Sequence, residues 1–445
     1  MQNFRKKQGT IFLVFILLMY GWVVPCAADE MNNENIDAKF QATYVWQSHA
    51  PFHAAYSGAN SLSAGYEKSY SFTSTAFIGY RPWVGGELYL NPEITQGVPL
   101  SNLAGLGGFN NGEIARSAGP HPSLYLSRFF LRQTWGVGGE QQTMESAPNQ
   151  LKGTVEAQRW VATVGKLSVT DIFDNNAYNH DPRTQFLNWS LMNYGAYDFA
   201  ADARGYSWGA ALERYHNDWV VRAGTFIVPM MPNVEALDFQ IHRHFGDQIE
   251  LEHTYRFFDQ SGKWRILAFT NEAKMSRFQD AINLANQNGG VPNVNNVRYG
   301  NQHKSGFGLS LEQALSQDVG VFFRGSWADG KTEAYAYTEI DRSLSFGALV
   351  TGDRWGRPAD SMGLGLAMNG LSAVHQKYLA NGGLGFFLGD GRLRYGQEKI
   401  IEFFYNVKLA KNSTVTLDWQ NMKNPGYNLD RGPVNVIGFR LHQTF

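Results

Sequence analysis

The sequence is short of cysteine, of charge and of long apolar runs, and each shortage removes a class of protein. A single cysteine, Cys26, excludes a disulfide-stapled secreted module. Asp, Glu, Lys and Arg make up 17% of the 445 residues and the formal net charge is −1. A nucleic-acid binder with a basic footprint is therefore not expected. Beyond the N-terminus no uncharged apolar stretch reaches the ~20 residues of a spanning helix. What is abundant is aromatic and small: 12 Trp, 21 Tyr, 30 Phe and 47 Gly, with a mean hydropathy of only −0.33. So much patterned aromatic sequence excludes a disordered chain. Length alone would suggest two or three soluble domains.

The first residues point to export. Arg5, Lys6 and Lys7 precede the apolar run 11–19, and Cys26-Ala27-Ala28 offers small residues for cleavage. That is the layout of a secretory signal peptide, expected over residues 1–28, with a single domain over 29–445. The run is too short for a membrane anchor. Pro25 argues against lipid attachment at Cys26.

The mature chain alternates with the period of a strand whose two faces see different surroundings. Ile249, Leu251, His253, Tyr255 and Phe257 alternate with Gln248, Glu250, Glu252, Thr254 and Arg256. Tyr70, Phe72, Ala76, Ile78 and Tyr80 alternate with Ser71, Thr73, Thr75 and Gly79. Continued to the end, the pattern predicts about sixteen segments of roughly 8–12 residues, the length of a tilted strand crossing a bilayer. They begin near 38, 69, 86, 123, 159, 205, 219, 248, 262, 303, 319, 340, 361, 398, 413 and 434. Short links at 81–85, 216–218, 258–261, 315–318 and 410–412 alternate with long ones at 47–68, 95–122, 168–204, 272–302 and 370–397. Two short-side links, 136–158 and 352–360, are longer than expected. The fold class is thus all-β, a transmembrane antiparallel barrel of about sixteen strands with short periplasmic turns and long extracellular loops. An even count places both termini on the periplasmic side, and Phe445 ends the last strand on its lipid-facing row.

Closure is a physical requirement, because hydrocarbon offers no partner to an open strand edge. A barrel of this size encloses a water channel unless loops fill it. Charges on the lumen phase include Glu87, Arg128, Arg132, Arg222, Glu250, Glu252, Arg265, Arg324, Glu402, Asp418 and Arg440. Each reads either as a solvated wall residue or as part of a transverse field that orders sugar hydroxyls. The segment Lys166–Arg204 is the most unusual loop, rich in both aromatics and charges of both signs. It is expected to fold into the mouth, either to set selectivity or as a plug. Three chance matches carry no chemistry. Gly205-Tyr206-Ser207-Trp208-Gly209 has the hydrolase elbow pattern but sits in an alternating run. His49 and His53 are separated by Pro51, and the loop aspartates lack calcium-loop spacing.

Asp171-Ile172-Phe173-Asp174-Asn175-Asn176, Asp181-Pro182-Arg183-Thr184-Gln185-Phe186-Leu187-Asn188 and Ala200-Ala201-Asp202-Ala203-Arg204-Gly205-Tyr206-Ser207-Trp208-Gly209 resemble the carbohydrate-selective porins of Gram-negative outer membranes, the OprB type. The likeness extends to 96–102, to Asn424-Pro425-Gly426-Tyr427 and to Arg431-Gly432-Pro433-Val434. It implies a sixteen-stranded outer-membrane porin passing glucose-like mono- or small oligosaccharides by facilitated diffusion, with neither cofactor nor catalysis. Family members place an arginine near the end of the third strand and a glutamate in the following loop at the constriction. Glu113 falls at the glutamate, but the third strand reads Glu93-Ile94-Thr95-Gln96-Gly97, without the arginine. Arg128 or Arg132 is the expected replacement. The candidate constriction set is Glu93, Glu113, Arg128, Arg132, Lys166, Asp171, Asp174, Arg183, Trp189 and Arg204, with no metal ligands. Expected partners are small saccharides, outer-membrane lipid and lipopolysaccharide, and no nucleic acid; monomer and homo-oligomer both stay open. A general or organic-solute pore is the alternative, with a barrel enzyme or adhesin behind it.

Overall fold

The computed structural model describes residues 33–114, 119–336 and 339–445. The expected signal peptide over 1–28 lies outside them. The chain divides into Met1–Asn33 and Glu34–Phe445, and the second unit is one closed sheet. Its strands are β1 (Ile36–His49), β2 (Glu67–Trp83), β3 (Gly86–Val98), β4 (Ser123–Met144), β5 (Gly153–Leu167), β6 (Ser207–His216), β7 (Trp219–Phe226) and β8 (Phe245–Phe257). They continue as β9 (Gln260–Ala273), β10 (Gln302–Ala314), β11 (Val319–Ala328), β12 (Arg342–Thr351), β13 (Ser361–Gly370), β14 (Glu398–Ala410), β15 (Ser413–Lys423) and β16 (Val434–Thr444). Each pairs antiparallel with its sequence neighbours, and β1 pairs with β16 from Gln41↔Thr444 to His49↔Val436. The closed ladder leaves no edge unpaired, as a barrel in hydrocarbon requires. Among the described residues no helix is long and apolar enough to cross a membrane.

The molecule is sorted inside out. On β16, Val436, Arg440 and His442 are buried while Ile437, Leu441 and the terminal Phe445 are exposed. Phe445 packs on Phe40 across the closing seam at 5.6 Å. Outward rows are apolar because they meet lipid, and inward rows are polar because they meet the lumen. Leu417, in the middle of β15, is 61% exposed on the outward row. Leu417→Arg should therefore cost about 2–4 kcal/mol of folding stability in vesicles, the range for a charge near the midplane. An unchanged urea midpoint would contradict the assignment of that face.

Seven short links, such as 84–85, 217–218 and 258–259, alternate with eight long ones, such as 99–122, 168–206 and 371–397. One expected link is mostly strand. Residues 136–158 form a bulged β4–β5 hairpin whose turn is only 145–152. Gly138 and Gly139, both with positive φ, supply the bends that a side-chain-bearing residue would resist. The turn folds back on the wall: Leu151 is buried and its N–H donates to the Tyr89 hydroxyl at 3.1 Å.

Loop 168–206 enters the barrel and changes the wall beneath it. Phe186 packs edge-on to Phe322 of β11 and Phe404 of β14, at 5.4 and 5.0 Å. Tyr197 meets Phe269 of β9 at 5.0 Å. Part of the lumen wall is therefore apolar, because the loop needs a core to dock against. Among the described residues three α-helices lie in the long loops: α1 (Trp189–Met192), α2 (Phe278–Asn288) and α3 (Ala373–Ala380). Phe278 and Tyr378 join α2 and α3 through rings 4.9 Å apart.

Candidate functional site

Wall charges hold the third long loop by its backbone. Arg324 of β11 donates to the carbonyls of Asp174 (2.9 Å), Asn179 (2.6 Å) and Leu191 (3.1 Å), and pairs with the Asp174 carboxylate at 2.8 Å. Arg440 of β16 donates to Pro182 O and Gln185 O at 2.6 and 2.7 Å. Glu402 of β14 accepts from Leu187 N and Asn188 N, just ahead of α1. Glu250 accepts from Asp174 N at 2.9 Å, and Glu312 from Ala177 N at 2.8 Å. Behind them Arg222 bridges Glu213, Glu250 and Glu252, and Arg265 bridges Glu252 and Glu312, all within 3.0 Å. Charged partners make these hydrogen bonds stronger than neutral ones. The wall charges are loop anchors as much as lumen lining.

Anchored in this way, the loop closes a cavity of about 290 Å³ against β3, β4 and loop 99–122. Two carboxylates converge there, Glu93 of β3 (3% exposed) and Glu113 of the loop (8%). Arg183 lies between them: Nε is 2.7 Å from Glu113 and Nη2 is 3.4 Å from Glu93. Thr73 and Tyr125 donate to Glu113 and Glu93 respectively, and Thr75 donates to Glu93 at 2.5 Å. Burial pushes the Glu113 carboxyl above its ordinary range, and the Arg183 guanidinium offsets only part of that. Arg183 is itself held further toward its charged form by Glu113 and Glu93, against burial.

A second pair completes the lining. Arg128 of β4 makes a bidentate bridge to Asp171 at 2.7 and 2.6 Å. Asp171 also accepts from Ser168 N, so the same carboxylate caps the turn that starts the loop. Tyr206 joins the two groups, lying 5.1 Å under Arg128 and donating to Glu93 at 3.5 Å. Arg204 covers the Tyr125 ring at 4.3 Å and pairs with Glu235 at 3.1 Å. Trp189, positioned by the Asn188 cap of α1, stacks with Phe199, while Phe109 meets Phe387.

Of the ten residues expected at the constriction, the cavity brings together Glu93, Glu113, Arg128, Asp171, Arg183, Trp189 and Arg204. Three lie elsewhere. Arg132 is four residues along β4, or about 13 Å at ~3.3 Å per residue. There it pairs with Glu87 and donates to Asn149 O of the β4–β5 turn. Lys166 pairs in register with Phe129 and Trp208, which puts it on the outward row, 3.8 Å from Asp202. Asp174 is fully buried against Arg324, behind the loop. Tyr125, Tyr206 and Phe387 were not anticipated. The first two stand on or beside inward rows next to cavity arginines, a signal the alternation could have supplied; Phe387 comes from a distant loop and leaves none.

The family model for the carbohydrate-selective porins, "Carbohydrate-selective porin, OprB family", matches residues 80–445. The chain belongs to that family. This porin is an outer-membrane channel for carbohydrates and not an enzyme. Its fold is similar to that of Pseudomonas putida OprB, with a TM-score of 0.69 at 15% identity, covering 92% of this chain and 94% of that one. The outer-membrane channel DcaP of Acinetobacter baumannii is more distantly similar, with a TM-score of 0.50 at 8% identity over 95% and 100%. No curated protein is significantly similar in sequence. In this porin Ser207 of the elbow-like pattern is fully buried at the start of β6, with its hydroxyl bonded to Ile227 O. The cation beside Glu113 is Arg183, from the third loop, where Arg128 or Arg132 had been expected.

Proposed function

We propose that sugars cross this porin one ring at a time through the Glu93–Arg183–Glu113 and Arg128–Asp171 cavity. The observation carrying the reading is the lining itself, in which guanidinium–carboxylate pairs and aromatic rings face one cavity of sugar-ring scale. Hydroxyls both donate and accept, so they exchange water for carboxylate and guanidinium partners together. The rings of Trp189, Tyr125 and Tyr206 offer faces to the C–H side of a pyranose. The Arg128–Asp171 pair is neutral and Arg183 offsets one of its two carboxylates, so the lining carries a slight negative excess that favours neutral mono- or small oligosaccharides over anions. Residues 1–28 are removed on export, and the long loops face the cell exterior.

Planar-bilayer recordings with a panel of sugars test this reading: glucose-like sugars should reduce ionic current in a saturable way. Current indifferent to every sugar would favour a general solute pore. Position within the barrel makes a sharper prediction. Glu113→Gln should weaken sugar block about tenfold, equal to ~1.4 kcal/mol. Arg132→Ala should leave the block unchanged. Equal effects of the two substitutions would refute the proposed constriction.

A further inference from the structure

On the outward side of the wall, opposite the sugar cavity, lies an apolar recess of about 540 Å³. Its sides are Phe129 of β4, Val164 of β5 and Trp208 of β6, and Ile241 and Phe245 roof it at the long-loop end. Gly165 and Gly209, paired across β5 and β6, form part of its floor with backbone alone.

The wall is low here. Strand β7 has 8 residues, short of the roughly 9–11 that cross a bilayer. The loop that follows it replaces the missing height with apolar surface: Met230, Met231, Phe239 and Ile241 are each at least half exposed. Such a loop fits a hydrocarbon boundary better than water. Two cations adjoin lining residues, one through the strand ladder and one through the chain. Lys166 stands on the outward row between Phe129 and Trp208, its link to Asp202 a loose 3.8 Å. Arg243 is exposed midway between Ile241 and Phe245.

We propose that this recess binds lipid A of lipopolysaccharide, with an acyl chain in the groove and a headgroup phosphate on Lys166 and Arg243. The recess is continuous with the lipid-facing rows, so hydrocarbon reaches it without crossing water. Cations at the rim of an apolar groove match an anionic lipid headgroup. The assignment to the outer leaflet rests on the long loops facing outward, the reading given above.

The full chain, folded in detergent and mixed with lipid A or with phosphatidylglycerol, can be weighed intact by native mass spectrometry. The wild type should retain lipid A in preference to phosphatidylglycerol. Ala210→Trp, which fills the groove from the outward row, should lower lipid A occupancy at least fivefold, and Ala223→Trp, further down the wall, should not. The double variant Lys166→Gln/Arg243→Gln should lower it comparably and decides the matter if Ala210→Trp does not fold. Equal retention of both lipids, unchanged occupancy in the variants, or a change in the number of copies with Ala210→Trp would each overturn the proposal. Sugar block should be unaltered in every variant, so a failure of the sugar reading would show separately, as absence of block in the wild type.

Discussion

Arg183→Ala should abolish saturable sugar block and turn the channel toward cations. The guanidinium is the only cation bonded to either Glu93 or Glu113 among the described ion pairs, and both carboxylates are buried. Deleting one partner of a buried, hydrogen-bonded pair costs about 2–5 kcal/mol, much of it from the charge left behind. Even the lower end corresponds to more than tenfold in a binding constant. Two uncompensated carboxylates would attract cations, so the reversal potential in a salt gradient should shift in their favour. The shift should be pH-dependent with a definite sign. Burial already raises Glu113, and the guanidinium lowers it. Without Arg183 the carboxyl should protonate at a higher pH than in the wild type. Cation preference should thus fade as pH falls, from a higher starting point than in the wild type. Arg183→Lys restores charge without the planar fork, so it should recover ion selectivity more than sugar block. Undiminished block in Arg183→Ala would remove the residue from the constriction.

The barrel was legible in the sequence because its signal repeats. Strand starts expected near 86, 123, 219, 319, 361, 398, 413 and 434 coincide with those observed, since each rests on several alternating residues. The signal failed where alternation did. Gly136, Gly138 and Gly139 interrupt the phase on β4, so the hairpin beyond them read as a link. The bulge at Ser127, where Asn91 pairs with Arg128 and Pro92 with Leu126, turns both Ser127 and Arg128 toward the lumen. No count of alternating positions would show that. Lys166 was read as the beginning of a loop although β5 continues through Leu167, and one residue of strand decides which face a side chain takes. The anchoring of the third loop was beyond reach for a different reason. Sequence exposes Glu402, Arg440 and Arg324 as inward charges, yet their partners are backbone groups more than a hundred residues away. Pairing a side chain with a backbone N–H or carbonyl leaves no residue-type signature on the backbone side.

Those anchors yield the largest structural prediction. Arg324→Met should release the third loop from β11, raise single-channel conductance severalfold and remove sugar block, while the barrel stays folded by circular dichroism. Arg324 holds both the Asp174 end and the α1 end of the loop, through Asp174, Asn179 and Leu191. Breaking a buried pair by removing one partner costs about 3–5 kcal/mol. The loss falls on loop docking, because the β10–β11 and β11–β12 ladders do not use that side chain. Proton linkage gives a second readout. Burial raises the Asp174 carboxyl from 3.8 to about 7, although Arg324 pulls it down. A carboxyl raised in the docked state adds docking stability that is complete below pH 3.8 and lost as pH rises through about 7. Wild-type channels should therefore show more frequent wide openings at pH 8 than at pH 5. In Arg324→Met the loop is already released and Asp174 is no longer buried, so this pH dependence of wide openings should disappear. If conductance and sugar block match the wild type at both pH values, Arg324 does not hold the loop, and Glu402 and Arg440 suffice.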